Sequence, residues 1–488
     1  MTEISDFAGI VLVVTAGFAL AVLSTKLTER VPVPAPALFL LGAAAVSDIW
    51  PRVYESVPIR TVERIAVVAL VVILFNGGID IGWRRFRASA APILSLGVLG
   101  TFGTAGLVAV VGHYALGFSW ILAGIVGAAV SPTDPAVMFS VLGRREVAGR
   151  SGTTLEGEAG VNDPAGIALM LGMIELATHA DASFWVVVRE FAIEMSIGAA
   201  LGLLGAFVLI PLLRVLRLPS EGLYPVLALV LAGALYGVTA LAGGSGFLAV
   251  FVAGLFVGDA RAPYKGEIER FSSALAGLAE LVVFVALGLT IDISGLSGRV
   301  WLDGIVLALV LALLARPLVV LLTLGLARLS WAERAFITWS GLKGAVPILL
   351  AAFAVLRDVA GSDHVYGVVF VVVLISVVGQ GTLVPRVARA LAIPIRDRPA
   401  LPWELSVRLG EEPQAAHEFE VGARSRAAGQ SIRDLPLGEH VWITLVIRDG
   451  AATRPGGSLE LRAGDRVLLL ADPDKLAPLA RLFAAAPE

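Results

Sequence analysis

Long runs of apolar residues recur along the chain from residue 7 to about residue 390, each close to the length of a membrane-spanning helix. About 20 predominantly apolar residues cross a bilayer as a helix, so repeated runs of this length indicate a polytopic, all-α membrane protein. Neighbouring runs can be divided in more than one way, and the count is about thirteen. The predicted spans are 7–27, 33–48, 63–81, 88–115, 119–141, 152–176, 184–213, 222–241, 245–259, 271–291, 302–327, 333–356 and 363–385.

The pattern changes from about residue 412 onward. Short runs of alternating apolar and polar residues replace the long ones, with Gly- and Asp-containing turns between them and an amphipathic helix at the end. Such a pattern is typical of a small α+β domain outside the membrane. We therefore predict a transmembrane domain over residues 1–392, a linker over 393–411 and a cytoplasmic domain over 412–488.

Composition agrees with a membrane protein. The chain has 488 residues, 57% hydrophobic and 16% charged, whereas roughly 25% of the residues of a soluble domain are charged. It contains no cysteine, which excludes disulfides, thiolate metal sites and cysteine nucleophiles. The first apolar run follows Glu3 and Asp6 and lacks a small-residue cleavage site, so we expect a retained span instead of a signal peptide. Membrane lipids are the expected surroundings, and no nucleic-acid partner is expected.

Lysine and arginine residues are unevenly divided between alternate loops, and cytoplasmic loops carry the excess of these residues. One set of loops holds most of them, with clusters at 84–87, 144–150 and 261–270. This bias predicts an odd number of spans in a bacterial inner membrane, with the N-terminus outside and the C-terminus in the cytoplasm. The other set of loops holds only Arg52, Arg60, Arg64, Arg189, Arg299 and Arg357.

A carboxylate is predicted near the middle of the sixth span. Charged groups inside a bilayer cost roughly 2.5–3.5 kcal/mol each on insertion scales, so they usually serve function or form pairs. The segment LEGEAGVNDPAGIAL places Asp163 about eleven residues into the span, preceded by Asn162 and by Glu158 about one turn earlier. At 1.5 Å per residue this position is about mid-bilayer. Pro164 and nearby glycines favour a binding site over a purely structural carboxylate.

Two predicted spans contain breaks. In VSPTDPAVMFSVL of the fifth span, Pro132 and Pro135 bracket Thr133 and Asp134, and prolines so close together are expected to interrupt the helix. A simple proline kink is the alternative. In GLKGAVPILLA of the twelfth span, two glycines and a proline surround Lys343. The two breaks lie seven spans apart and so run in opposite directions, which indicates an inverted-repeat transporter with two broken crossing helices.

An inventory of the buried charges predicts their pairing. Arg316 in the eleventh span needs a buried anion, and Glu158 is the natural partner because Asp134 can be satisfied by backbone amides. Lys343 is predicted to neutralise the carbonyl end of a half-helix. By this count Asp163 has no cationic partner, so it is free to hold a proton or a transported monovalent cation.

These motifs resemble those of the cation/proton antiporter superfamily, specifically the NhaP-type potassium or sodium/proton antiporters of its first subfamily. The matching stretches are VSPTDPAV, LEGEAGVNDPAGIAL, LLARPL, GLKGAVPI and VVGQGTL, and the resemblance covers about residues 7–390. The tail from about residue 412 resembles the TrkA-C type regulatory module of potassium-transport RCK proteins. The combination resembles the potassium/proton exchanging branch.

The resemblance implies roles for the same residues: ion binding and protonation at Asp163, a neutral partner at Asn162, an ion pair of Glu158 with Arg316, and a crossing helix at Thr133 and Asp134. It also implies a homodimer that works by an elevator-like movement, without a cofactor, and a small cytoplasmic ligand is a candidate regulator of the tail. Two positions depart from the family pattern. Ala159 stands where Ser is common, and Lys343 where Arg is frequent, which keeps the charge but loses bidentate hydrogen bonding.

The expected function is therefore secondary antiport of a monovalent cation, K⁺ favoured and Na⁺ as the other candidate, against H⁺. Since Asn162 does not titrate, one carboxylate serves both ions, which predicts electroneutral exchange. The alternatives are a ligand-regulated cation channel and a non-transporting membrane receptor. A channel filter such as Thr-Val-Gly-Tyr-Gly is absent from the sequence, and a complete lack of flux in vesicles would favour the receptor.

Overall fold

In a computed structural model the chain forms two compact units, residues 1–398 and 399–488. The boundary between them lies within the predicted linker. The predicted first span, 7–27, lies outside the described residues. The residues that the structure describes are 34–50, 57–142, 145–147, 149–179, 183–260, 262–325, 327, 329–397, 406–409, 412–438, 441–448, 451–471 and 476–483.

The first unit is helical. In the described part of the chain, seven helices are long and apolar enough to cross a membrane, and four more are apolar but shorter. The helices are α1 (Ala35–Ile49), α2 (Ile59–Ala88), α3 (Ala90–Tyr114), α4 (Trp120–Val130), α5 (Pro135–Leu142), α6 (Arg150–Thr178), α7 (Phe184–Val215), α8 (Leu223–Leu241), α9 (Gly246–Asp259), α10 (Lys265–Gly288), α11 (Gly298–Leu324), α12 (Trp331–Trp339), α13 (Ala345–Leu356) and α14 (Ser362–Ala390).

The predicted spans from 33–48 onward each correspond to one of these helices or to a pair of half-helices. The fold prediction, an all-α polytopic protein with two broken helices, is confirmed. Three long helices also contain a π-helical turn, at Ser95–Gly100 in α3, Leu311–Ala315 in α11 and Ile375–Gln380 in α14. Such turns are rare in helices and are frequent at functional sites.

The first break separates α4 from α5. The helix ends at Val130, and the next begins at Pro135, which suits a first helical position because proline has no amide hydrogen to leave unpaired. The second break separates α12 from α13. The two unwound segments, 131–134 and 340–344, cross, because the amide of Asp134 donates to the carbonyl of Leu342 at 2.8 Å.

Small residues let the helices approach closely, as is usual in membrane bundles. Gly160 of α6 faces the ring of Phe251 on α9, and a Cβ atom at Gly160 would overlap that ring. Gly78 of α2 lies against the backbone of α9 in the same way. By contrast, large apolar side chains such as Phe207 and Leu241 are 68% and 91% exposed. A lipid environment would cover these outward faces.

Two antiparallel strands also belong to the first unit. β1 (Arg145–Val147) lies between α5 and α6, and it pairs with β2 (Ile395–Asp397), which follows α14. Strand β2 lies within the predicted linker. The pairing joins the segment that follows α14 to the segment between α5 and α6.

The second unit is built on a five-stranded antiparallel sheet. One helix, α15 (Leu476–Phe483), contributes Phe483 to a buried core with Val446, Val467 and Leu469. The predicted small α+β domain is confirmed. Its strands are β3 (Ser406–Leu409), β4 (Glu412–Glu420), β5 (Trp442–Arg448), β6 (Ala451–Thr453) and β7 (Arg466–Ala471). They lie in the order β3-β4-β7-β5-β6 across the sheet.

Candidate ion-binding site

Asp163 lies near the middle of α6, a continuous helix of 29 residues. Its side chain is buried, with the residue only 7% exposed, and its Oδ1 atom has no hydrogen-bond partner among the described residues. Pro164 follows inside the helix, and it cannot donate the helical hydrogen bond to the carbonyl of Gly160. A carboxylate oxygen and a weakened stretch of backbone therefore occur together in the centre of the helix.

Asn162 is tied to the first broken helix. Its Nδ2 atom donates to the hydroxyl oxygen of Thr133 at 2.7 Å, and that hydroxyl donates to Oε1 of Glu158 at 3.3 Å. The three residues are almost fully buried. The hydrogen bond fixes the orientation of the amide, and it leaves the Oδ1 atom of Asn162 without a hydrogen-bond partner among the described residues.

Glu158 and Arg316 form a bidentate ion pair. The Nη1 and Nη2 atoms of Arg316 donate to the two carboxylate oxygens at 2.5 and 2.8 Å, and Nη2 also donates to the carbonyl of Ile337 at 3.3 Å. Gly341 leaves room for the guanidinium group, since a Cβ atom there would overlap it. Two parallel hydrogen bonds in a dry site hold both charges in place, so neither is available to another ion.

Lys343 is buried and directs its charge at backbone oxygens. Its Nζ atom donates to the carbonyls of Ser131 and Pro132, at 2.9 Å each, just after the last residue of α4. A cation is favourable at the carbonyl end of a helix, where the helix dipole is negative. The carboxylate of Asp134 lies beside Gly344 at the start of α13, in space that a Cβ atom at Gly344 would fill.

The arrangement places three charged residues close enough to act on Asp163. Its carboxylate is within electrostatic range of Asp134, Lys343 and Glu158. Glu158 is compensated by Arg316, and the ammonium group of Lys343 is held by two backbone carbonyls. Carboxylate, amide and unwound backbone oxygens are the groups with which broken-helix transporters bind monovalent cations. Among the described residues there is no cluster of three His, Asp or Glu side chains suited to a multivalent metal.

The structure brings all seven predicted site residues into one region, on α6, α11 and the two crossing segments. Sequence reasoning missed Glu280, an ionisable residue that acts electrostatically on this region. Glu280 lies in the interior of α10, its Oε1 atom is buried without a hydrogen-bond partner in the described chain, and it is within electrostatic range of Asp134. A charge nine residues into the predicted span 271–291 was the available signal.

The comparisons with known proteins identify the family. The sequence model described as "Sodium/hydrogen exchanger, transmembrane" matches residues 7–390, and that of the TrkA-C domain matches residues 416–484. The chain belongs to the sodium/hydrogen exchanger family. As a member of this family it is a multi-pass cation/proton antiporter and not an enzyme, and the predicted resemblance, including the TrkA-C tail, is confirmed.

Curated relatives resemble this exchanger over nearly its whole length. The K(+)/H(+) antiporter NhaP2 of Shewanella sp. (strain ANA-3) is 31% identical over 96% of this chain and 82% of its own. The K(+)/H(+) antiporter NhaP of Alkalimonas amylolytica is 32% identical over 98% of this chain and 83% of its own. The Na(+)/H(+) antiporter ApNhaP of Aphanothece halophytica is 28% identical over 69% of this chain and 66% of its own.

A solved structure supports the same fold. The sodium proton antiporter MjNhaP1 from Methanocaldococcus jannaschii at pH 8 superposes with a TM-score of 0.67, covering 79% of this chain and 99% of that chain at 22% identity. At this level of identity the similarity concerns the fold of the exchanger.

Proposed function

We propose that this exchanger moves K⁺ against H⁺, one for one, by binding the two ions alternately at Asp163. The observation that carries the proposal is the buried Oδ1 atom of Asp163, which has no hydrogen-bond partner among the described residues, while the neighbouring charges of Glu158, Arg316 and Lys343 are engaged. A cation and a proton then compete for one carboxylate. Alternating exposure of that carboxylate to the two sides of the membrane converts the competition into exchange.

The choice of K⁺ rests on the relatives. The K(+)/H(+) antiporters match this chain at 31–32% identity over 96–98% of its length, whereas the Na(+)/H(+) antiporter matches a smaller share. Asn162 and Thr133 complete the proposed site. The amide oxygen of Asn162 is unpartnered in the described part of the chain, so it is available to the cation beside the carboxylate of Asp163.

Electroneutral exchange follows from the charges around the site. The ion pair of Glu158 with Arg316 is neutral as a whole, and Asn162 carries no charge. Loading either one H⁺ or one K⁺ onto Asp163 therefore gives the same net charge. No cofactor is needed for this cycle.

Antiport in everted vesicles tests the proposal. K⁺, Rb⁺, Na⁺ and Li⁺ are each added over a range of concentrations to vesicles with an imposed pH gradient, and K⁺ should collapse the gradient at the lowest concentration. An imposed membrane potential of either sign should leave the rate unchanged. Exchange of Na⁺ and Li⁺ without K⁺ would contradict the choice of ion. A rate that follows the potential would contradict the one-for-one stoichiometry.

We also propose that the protein is a homodimer in the inner membrane, with its N-terminus outside and its C-terminus in the cytoplasm. The sequence contains no cysteine, so single cysteines introduced near each terminus can be labelled selectively with an impermeant maleimide. In right-side-out vesicles only the N-terminal cysteine should react. In everted vesicles only the C-terminal cysteine should react, and the opposite pattern would reverse the topology.

We also propose that the domain over residues 412–488 regulates transport by binding a small cytoplasmic ligand, with residues 393–411 as the linker from the transport domain over 1–392. The match of residues 416–484 to the TrkA-C domain supports this division. Truncation near Pro399 should leave an exchanger of altered rate or pH dependence in which Asp163 is still essential. A truncated protein that inserts and dimerises but never exchanges would assign the tail to the transport machinery.

A further inference from the structure

One motif singled out in the sequence, VVGQGTL at the end of α14, takes no part in the proposed ion site. In the structure it coincides with the π-helical turn Ile375–Gln380 and a following 3₁₀ turn, Gly381–Leu383. Ser376 is buried in this turn, and its hydroxyl lies 3.5 Å from Oε1 of Gln380. A π turn inserts an extra residue into the helix, and here it points two polar side chains toward the second broken helix.

Both side chains bind the backbone of the second break. The amide of Lys343 donates to the hydroxyl oxygen of Ser376 at 2.9 Å, and Nε2 of Gln380 donates to the carbonyl of Trp339 at 2.5 Å. The indole of Trp339 donates in return to the carbonyl of Gln380 at 3.2 Å. Trp339 is the last residue of α12, where carbonyls have no partner within the helix. The π turn therefore satisfies backbone groups on both sides of the break.

The same hydrogen bonds continue into the first broken helix. Lys343, whose amide is held by Ser376, places its Nζ atom on the carbonyls of Ser131 and Pro132. Those carbonyls lie next to Thr133, which bonds to Asn162 on α6. A continuous network thus connects the π turn of α14, through both crossing segments, to the residue beside Asp163.

We propose that Ser376 and Gln380 are positioning residues, which hold the backbone at 339–343 so that the charge of Lys343 stays at a fixed depth beside Asp163. This inference rests on the proposed function of Asp163. Neither residue touches the transported ion. Both act through Lys343, whose charge is within electrostatic range of Asp163 and so affects how tightly the site holds a cation.

The test compares Ser376→Ala and Gln380→Met with Thr382→Val as the matched control. Thr382 lies two residues beyond the π turn, and among the described residues its hydroxyl donates to the carbonyl of Gly379 in its own helix, at 3.1 Å. Purified full-length protein in proteoliposomes gives the apparent cation affinity and the maximal rate separately. We expect apparent affinity to change about five- to tenfold in the two test variants, as for the loss of one buried hydrogen bond, and to stay unchanged in the control.

A double-mutant cycle with Lys343→Met separates positioning from a merely structural role. If Ser376 acts through Lys343, Ser376→Ala has no further effect on cation affinity when Lys343 is already replaced. Cation-dependent thermal stabilisation of the purified protein measures that affinity even where turnover is lost. If Lys343→Met does not fold, Lys343→Arg takes its place, and Ser376→Ala should then change affinity by a different factor than in the wild type.

The possible outcomes distinguish failure of the positioning role from failure of the proposed function. Unchanged cation affinity in both Ser376→Ala and Gln380→Met, with exchange that still depends on Asp163, overturns the positioning role alone. An effect of Ser376→Ala that is the same with and without Lys343 also overturns it. A wild-type protein that neither exchanges nor binds a monovalent cation overturns the proposed function and this inference together.

Discussion

The two units each contain a bidentate pair of an arginine with a buried carboxylate, and the surroundings of the pairs differ. In the membrane unit Arg316 holds Glu158 at 2.5 and 2.8 Å. In the tail unit Arg448 holds Asp465 with two hydrogen bonds of 2.8 Å. The side chain of Arg316 is 6% exposed and that of Arg448 is 20% exposed. Water therefore reaches the tail pair more easily than the membrane pair.

The difference shows how the same contact serves two purposes. In the tail, the carboxylate of Asp465 also accepts from the amide of Arg462 at 2.7 Å, so the pair closes a turn next to Gly464, whose φ is 85°. Its role there is structural. In the membrane, the pair neutralises Arg316 and Glu158 together, while the Oδ1 atom of Asp163 has no hydrogen-bond partner among the described residues.

The largest expected effect is the loss of exchange in Asp163→Asn. The amide has nearly the shape of the carboxylate but binds neither a proton nor a cation electrostatically, so antiport in everted vesicles should fall to the background of empty vesicles. Protein amount and dimer content should match the wild type. Asp363→Asn, at an exposed position in the first turn of α14, serves as the control and should exchange normally. Substantial antiport by Asp163→Asn would contradict the proposed site.

The next prediction concerns the membrane pair. Replacement of Glu158 or Arg316 by alanine leaves its partner charged, buried and uncompensated, which costs roughly 3–5 kcal/mol. Each single variant should therefore unfold at a clearly lower temperature in detergent, and the double variant should lose less than the sum of the two. Arg357→Ala, at an exposed position, should have little effect. Strictly additive losses would show that the two side chains do not interact.

The tail pair should matter less, and it should depend on pH. The hydrogen bond from Arg448, helped by the amide of Arg462, lowers the pKa of Asp465 below its ordinary value. The unfolded chain then binds more protons than the folded one at low pH, so this stabilisation is complete above about pH 5 and declines as the pH falls through the lowered pKa. Asp465→Asn should cost about 1.5–3 kcal/mol at neutral pH.

Unfolding of the tail in the full-length protein can be followed through its own tryptophan, Trp442, after replacement of the tryptophans elsewhere. The difference between wild type and Asp465→Asn should shrink toward pH 3. Asp434→Asn, at an exposed carboxylate that accepts a hydrogen bond from Ser431, should show no comparable dependence on pH. A difference that grows on acidification would contradict the direction of the pKa shift.

The sequence predicted the helices well because hydropathy follows the bilayer, and it predicted boundaries less well where helices leave the membrane. Helix α2 was predicted as 63–81, yet it continues to Ala88 beyond a kink at Gly82, whose φ is 69°. The added segment carries Arg84, Arg85 and Arg87. Polar residues end a hydropathy run without ending a helix, so composition alone could not give the boundary.

The site was predictable to the extent that charge and proline are rare in membrane helices. The depth of Asp163 and the break at Pro132 and Pro135 could be read directly from the sequence. Hydrogen bonds between distant segments could not be predicted in this way, because nothing in the local sequence at Ser376 or Gln380 indicates which backbone groups their side chains bind. These contacts depend on the crossing of the two broken helices, which is a property of the three-dimensional fold.

The smallest expected effect is that of Glu280→Gln, which replaces a carboxylate outside the two arginine–carboxylate pairs. Glu280 comes from α10, outside the crossing segments, and its charge is within electrostatic range of Asp134. Where the carboxyl group of Glu280 is ionised, its replacement removes a negative charge near the site and should weaken cation binding without abolishing it, because Asp163 is still present. We expect apparent cation affinity in proteoliposomes to fall about two- to fivefold, equivalent to about 0.4–1 kcal/mol, with exchange remaining electroneutral.

The control for this variant is Glu269→Gln on the same helix, where the side chain is 43% exposed and pairs with Lys265. It should leave affinity unchanged, because water screens a charge at that position. Complete loss of exchange in Glu280→Gln would mean that this carboxylate binds the cation directly. Exchange that became sensitive to membrane potential would mean that Glu280 carries a proton through the cycle, and the count of one titrating carboxylate would then be wrong.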